Sequence, residues 1–89
     1  MSLELLDLLD ETIQDLDETG FEEQAETLYA IGYESTHASD THLLREIGLE
    51  LMRIQSRLEG ELPASVTTGM TRCMEVIRRA HPNLSLTED

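Results

Sequence analysis

From Leu3 to about Thr19 the chain has no glycine or proline, and its apolar residues recur with a helical period. Stepped at about 100° per residue, Leu5, Leu9, Ile13 and Leu16 share one narrow arc with Leu6 at its edge, while Glu4, Asp7, Glu11, Asp15 and Glu18 fall on the opposite side. Ser2 is placed to cap this helix, and Leu3 and Leu8 lie outside its apolar arc, free for a neighbour or a partner. Gly20 predicts a stop in the left-handed conformation, with Phe21 folded back on Leu16. A second, shorter helix over about 22–33 would bury Phe21, Ala25, Leu28, Tyr29 and Gly32, of which Ala25 and Gly32 admit close approach of another helix. Residues 34–40 are polar and unpatterned, a loop that ends in Ser39 or Asp40 as the next cap.

The third helix, about 41–59, carries the best heptad of the chain in Leu44, Ile47, Leu51, Ile54 and Leu58. Leu49 and Met52 lie off that stripe beside Arg45, Arg53 and Ser56, an interface-like composition that predicts an exposed self-association face. Gly60 ends the helix, and Pro63 suits the first position of a fourth over about 63–80, burying Val66, Met70, Cys73, Ile77 and Ala80. His81 and Pro82 stop it, leaving 83–89 as a loosely held tail. The expected fold is all-α, a single domain over 1–82: a small antiparallel four-helix bundle or two packed helical hairpins, or a three-helix bundle if 22–40 is mostly irregular. A chain of 89 residues buries only somewhat over about 60% of its unfolded surface, so a deep substrate cavity is not expected, and monomer and homodimer stand as even alternatives.

Charge changes this picture more than any other property. The net charge is −13, and residues 1–40 hold twelve acids and no base, whereas the other 49 residues hold seven acids against six arginines. A field of that sign repels nucleic acid and anionic membrane and speeds the approach of a basic protein. Salt adaptation would be expected to spread acids over the whole surface, and here they gather at one end. Asp15, Asp17 and Glu18 stand near a helix C-terminus, where the dipole disfavours them by a few tenths of a kcal/mol or more each. The absence of long apolar runs, a start without a basic segment and a single cysteine together lead to an expectation of cytoplasmic residence, with no membrane span and no disulfide within the chain.

Residues 15–26 admit a sharper chemistry. Asp15, Asp17, Thr19, Gly20, Phe21, Glu23 and Glu26 occupy the ligand, bend and carbonyl positions of a twelve-residue loop that resembles the EF-hand calcium site, with Glu22 where that loop carries an aliphatic residue. Glu22, Glu23 and Glu26 also resemble the first half of the Glu-Glu-x-x-Glu motif of the all-helical nucleotide pyrophosphatases related to MazG, which implies carboxylates holding Mg²⁺ against a triphosphate. Those enzymes add a Glu-x-x-Asp on a later helix, and this chain offers Glu46 and Glu50, four apart. His37 and His42 flank Asp40 in the loop, a further arrangement able to ligate a metal. Cys73 lies in an apolar stripe and reads as a buried structural thiol, and no Ser, His and Asp fall at a recognisable catalytic spacing. Neither a catalytic residue nor a cofactor is expected.

The leading expectation is a non-enzymatic binding protein that docks its acidic N-terminal hairpin on a basic protein partner through Glu4, Asp7, Leu8, Glu11, Asp15, Glu18 and Glu22. In size and charge the chain looks like bacterial inhibitors: immunity proteins of nuclease toxins, antitoxins and anti-activators. The carboxylates at 4, 7, 11, 15 and 18 make a row about 20 Å long at 1.5 Å per residue, a length suited to mimicry of a phosphate backbone. The rivals are a metal-binding module at 15–26 and a structural oligomerisation unit using Leu49 and Met52.

Overall fold

Gly20 and Gly60 both stand at positive φ, 94° and 82°, each just past the end of a helix. The computed structural model describes residues 3–37 and 39–84. It contains α1 (Leu3–Glu18), α2 (Glu22–Tyr29) running into a π-helical turn (Ala30–Glu34), α3 (Asp40–Arg57) and α4 (Ala64–Ala80). At the first corner the Phe21 amide donates to the Leu16 carbonyl at 2.8 Å and the Gly20 amide to the Asp17 carbonyl at 3.4 Å. These are the two bonds of a Schellman stop, and Phe21 packs on the core that contains Leu16. Ser39 caps α3 as expected, its Oγ accepting from the His42 amide at 3.2 Å. Pro63 takes the cap position of α4 rather than its first turn, and its carbonyl accepts from the Thr67 amide at 3.1 Å.

The four helices form an antiparallel up-and-down bundle in which each helix touches two neighbours. Arg79 reaches Glu4 across the ends of α4 and α1, and Gly69 lies against Thr12 midway along the pair, so these two helices run in opposite directions. Gly32 against Leu9 sets the same relation between the π turn and α1. Leu5, Leu9, Leu16, Leu28, Ile47, Leu51, Val66, Met70 and Ile77 are essentially inaccessible at the centre. Thr12 joins them at 1% exposure: its hydroxyl donates back to the Leu8 carbonyl at 2.8 Å and sits 3.8 Å from the Cys73 sulfur. Thr12 thus continues the 5, 9, 16 stripe of α1, and the bond to its own helix lets a polar residue stay there.

Several positions depart from the expected pattern. Tyr29 is 48% exposed, whereas Ala25 and Leu28 of α2 are buried and Ile31 after it packs against the core. The second helix ends in a π turn, which lays Gly32 so close to α1 that a Cβ there would stand 3.2 Å from Leu9 Cδ2. Ala80 is exposed at the end of α4. Leu8, expected to be free for a partner, is partly buried against the core. Leu84 also packs there and its amide donates to the His81 carbonyl at 3.0 Å, so the first residues of the expected tail are held. Ser2 and residues 85–89 lie outside the described residues.

Candidate functional site

Two helices joined by a tight Schellman corner cannot splay far, yet α1 and α2 leave an open groove of about 790 Å³ between them. Asp10, Ile13, Gln14 and Asp17 form the α1 wall, and Ala25, Glu26 and Tyr29 of α2 with Ala30 and Glu34 of the π turn form the other. The reason lies in side-chain size: Ala25 and Ala30 are short, so the floor is set by Ile13 and by the two alanines rather than by interlocking bulky residues. Among the described residues, four carboxylates, Asp10, Asp17, Glu26 and Glu34, stand on its two sides, and no base lines it.

An aromatic pair borders the groove. Tyr29 and Tyr33 face each other with ring centroids 5.1 Å apart and planes tilted by 36°, and both are exposed, at 48% and 43%. The Tyr33 hydroxyl donates a hydrogen bond to Asp10 Oδ1, tying the π turn to α1. That bond, with partial burial and the nearby Asp10 charge, pushes the Tyr33 hydroxyl up from 10.0 to about 12.

The residues singled out in the sequence are distributed differently. Glu4, Asp7, Glu11, Glu18 and Glu22 are exposed and Asp15 half-buried, so the expected acidic row lies on the surface of α1 and the start of α2. Glu4 is 3.4 Å from Arg79, and Glu18 accepts from the Gln14 side chain at 3.0 Å. Asp10, Asp17, Glu26 and Glu34, the carboxylates that share the groove, were absent from that row. They become neighbours only when α2 folds back on α1, and the signal available in the sequence was the pair of alanines facing Ile13.

The calcium arrangement is not formed. Asp15 and Asp17 are in the last turn of α1, Glu23 and Glu26 in α2, and Thr19 spends its hydroxyl on the Asp15 carbonyl at 2.6 Å. Phe21 gives its carbonyl to the Ala25 amide at 3.0 Å, so the segment is a helix stop rather than a ligand loop. Among the described residues no group of three or more His, Cys, Asp or Glu side chains is arranged to hold a metal. Glu23 and Glu50 do meet in a crevice of about 120 Å³ between α2 and α3, but Arg57 lines it and Arg53 lies 3.2 Å from Glu50.

His37 and His42 come together in a hydrogen-bonded chain. His37 Nε2 lies 2.8 Å from the Ile31 carbonyl, which can only accept, so that nitrogen carries a proton. His37 Nδ1 lies 3.1 Å from His42 Nδ1, and His42 Nε2 lies 3.7 Å from Glu46. The chain fastens the connection after the π turn to the first turns of α3. Cys73 is fully buried under α1, and burial pushes its thiol up.

The exposed Leu49 and Met52 pair is corrected. Met52 is 38% exposed, whereas Leu49 is 4% exposed. Arg45 and Arg53, four residues to either side of Leu49, share its strip of helix with side chains 32% and 36% exposed. Comparison with protein-family models, curated proteins and solved structures finds no match to this chain.

Proposed function

We propose that the chain is a non-enzymatic protein-binding module, an acidic inhibitor or regulator that docks its α1–α2 hairpin on a basic protein. The observation that carries this is the groove between α1 and α2, apolar along its floor and edged on both sides by carboxylates with no base among them. Carboxylates sustained at one sign repel one another, and a cationic surface placed across them relieves that cost while steering encounter. The buried Cys73 and the helix stop within 15–26 support a binding role over a catalytic one. No described helix is long and apolar enough to cross a membrane.

The test is affinity capture with the immobilised protein in steps of rising salt, followed by cross-linking of the captured partner. A basic protein held at low salt, released as salt rises and cross-linked to α1 or α2, is the expected result. Capture that is insensitive to salt, of a neutral or acidic protein, or cross-linked to α3 and α4, overturns the proposal.

A further inference from the structure

The groove has three features beyond its charge. Its length is set by the helices: Asp10 to Asp17 spans about 10 Å and Ala25 to Glu34 about 13 Å at 1.5 Å per residue, room for about two turns of a docked helix at 5.4 Å each. Its charges come from both walls, Asp10 and Asp17 on α1, Glu26 on α2 and Glu34 on the π turn, all exposed, while Ile13, Ala25 and Ala30 are less exposed and form the floor. Tyr29 presents an exposed ring on the α2 side, and Tyr33 packs against that ring. Asp10 already accepts from Tyr33, and among the described residues no arginine of the chain pairs with any of the four carboxylates.

An occupant complementary to this surface must be apolar along its middle and cationic along both edges. An extended strand has only two faces, so it can present apolar residues to the floor or bases to one side, but not bases to both sides at once. A helix with a narrow apolar stripe flanked on each side by bases meets all three strips together. The aromatic edge selects among bases: a guanidinium stacks on an exposed tyrosine face and reaches a carboxylate with its fork, whereas an ammonium does one or the other. Resting on the basic-partner reading above, we infer that the α1–α2 groove receives an amphipathic helix of a partner protein, its apolar stripe seated on Ile13, Ala25 and Ala30 and its arginines set between the carboxylates and Tyr29.

The test uses the full chain and three labelled peptides of about 14 residues, roughly four helical turns. One places leucine and alanine in a stripe flanked by arginine, one has the same composition scrambled so that no stripe forms, and one replaces arginine by lysine. Fluorescence anisotropy at low salt should show the striped arginine peptide binding at least about ten-fold more tightly than the scrambled one, as apolar burial of even two side chains predicts. The lysine peptide, and Tyr29→Ala against the arginine peptide, should each be about two- to five-fold weaker, the size of an exposed cation–π contact. Ala30→Phe, which fills the floor and leaves every charge in place, should abolish the preference for the stripe, with circular dichroism confirming that the variant is folded.

If the scrambled peptide binds as well as the striped one and Ala30→Phe changes nothing, the groove inference falls while the basic-partner reading stands. Amide shift changes centred on the outer row of Glu4, Asp7, Glu11 and Glu18, rather than on Ile13, Ala25 and Ala30, overturn the groove inference in the same way. If none of the three cationic peptides binds at low salt, both fall.

Discussion

Replacing Tyr33 by Phe removes one hydroxyl and leaves the ring against Tyr29, so it isolates the bond to Asp10. A hydrogen bond to an ionised carboxylate contributes about 1.5–3 kcal/mol when shielded, and solvent reduces this at a residue 43% exposed. The expected loss for Tyr33→Phe is therefore about 1 kcal/mol near neutral pH, read from urea denaturation. The pH dependence gives a sharper check. Folding raises the Tyr33 hydroxyl from 10.0 to about 12, so the native state keeps its proton while the unfolded chain releases it. The bond's stabilisation is then fully present below pH 10 and is lost as pH rises from 10 to about 12. Wild type should lose stability through that window, and Tyr33→Phe should lose about 1 kcal/mol less than wild type there. With Tyr29 as the other tyrosine, the difference between the ultraviolet titrations of wild type and variant reports Tyr33 alone. A Tyr33 that ionises near 10, with Tyr33→Phe as stable as wild type, would refute the tie between the π turn and α1.

Other consequences can be measured with the same denaturation assay. A Cβ at Gly69 would stand 2.7 Å from Thr12 Oγ1, so Gly69→Ala should destabilise by about 1 kcal/mol, overpacking outweighing the gain in helix propensity. In a Thr12→Ala background the next atom of residue 12 is the Cβ at 3.7 Å, and the same substitution should become stabilising by up to about 1 kcal/mol; an equal loss in both backgrounds would rule out the contact. Gly20→Ala meets no atom within 4 Å but must keep φ at 94°, so it should cost about 1 kcal/mol by conformation alone, and Gly20→Asn less. Cys73 should react with a thiol reagent only through opening of the bundle, its labelling rate rising with urea in step with unfolding; fast labelling in native buffer would contradict its burial.

What could be read from the sequence was what local chemistry decides. Gly20 followed by Phe21 closes a Schellman stop with atoms no more than five residues apart, and Ser39 caps α3 within one turn, so neither needs knowledge of the fold. The stripes of α1 and α4 were legible for the same reason, save that Thr12 stands in an apolar position through a bond to its own helix. Tyr29 and Leu49 were misplaced because each lies away from the centre of its stripe, where burial depends on how the helix is rotated in the bundle and on what the flanking side chains cover. The groove escaped for a third reason. Its carboxylates come from residues 10, 17, 26 and 34, and hairpin closure, rather than spacing along either helix, makes them neighbours.

The way the hairpin is held together bears on its purpose. A pair of helices this acidic could be stabilised by arginines from the other half of the bundle. Instead Arg53 lies by Glu50 and Arg45 by Glu46 within α3, and α4 extends Arg79 to the exposed Glu4 at the far end of the hairpin. The closure of α2 on α1 rests on contacts that neutralise no charge: the Schellman corner, the approach of Gly32 to Leu9 and the neutral Tyr33 donating to Asp10. Each holds the helices together without setting a base against the groove carboxylates. Ion pairs across the groove would contribute little at an exposed site and would occupy the charges a partner could use. An architecture that fixes the acidic walls by packing and backbone geometry keeps them preorganised and available, the condition under which charge complementarity raises the rate and specificity of docking without a cost of reorganisation at the moment of contact.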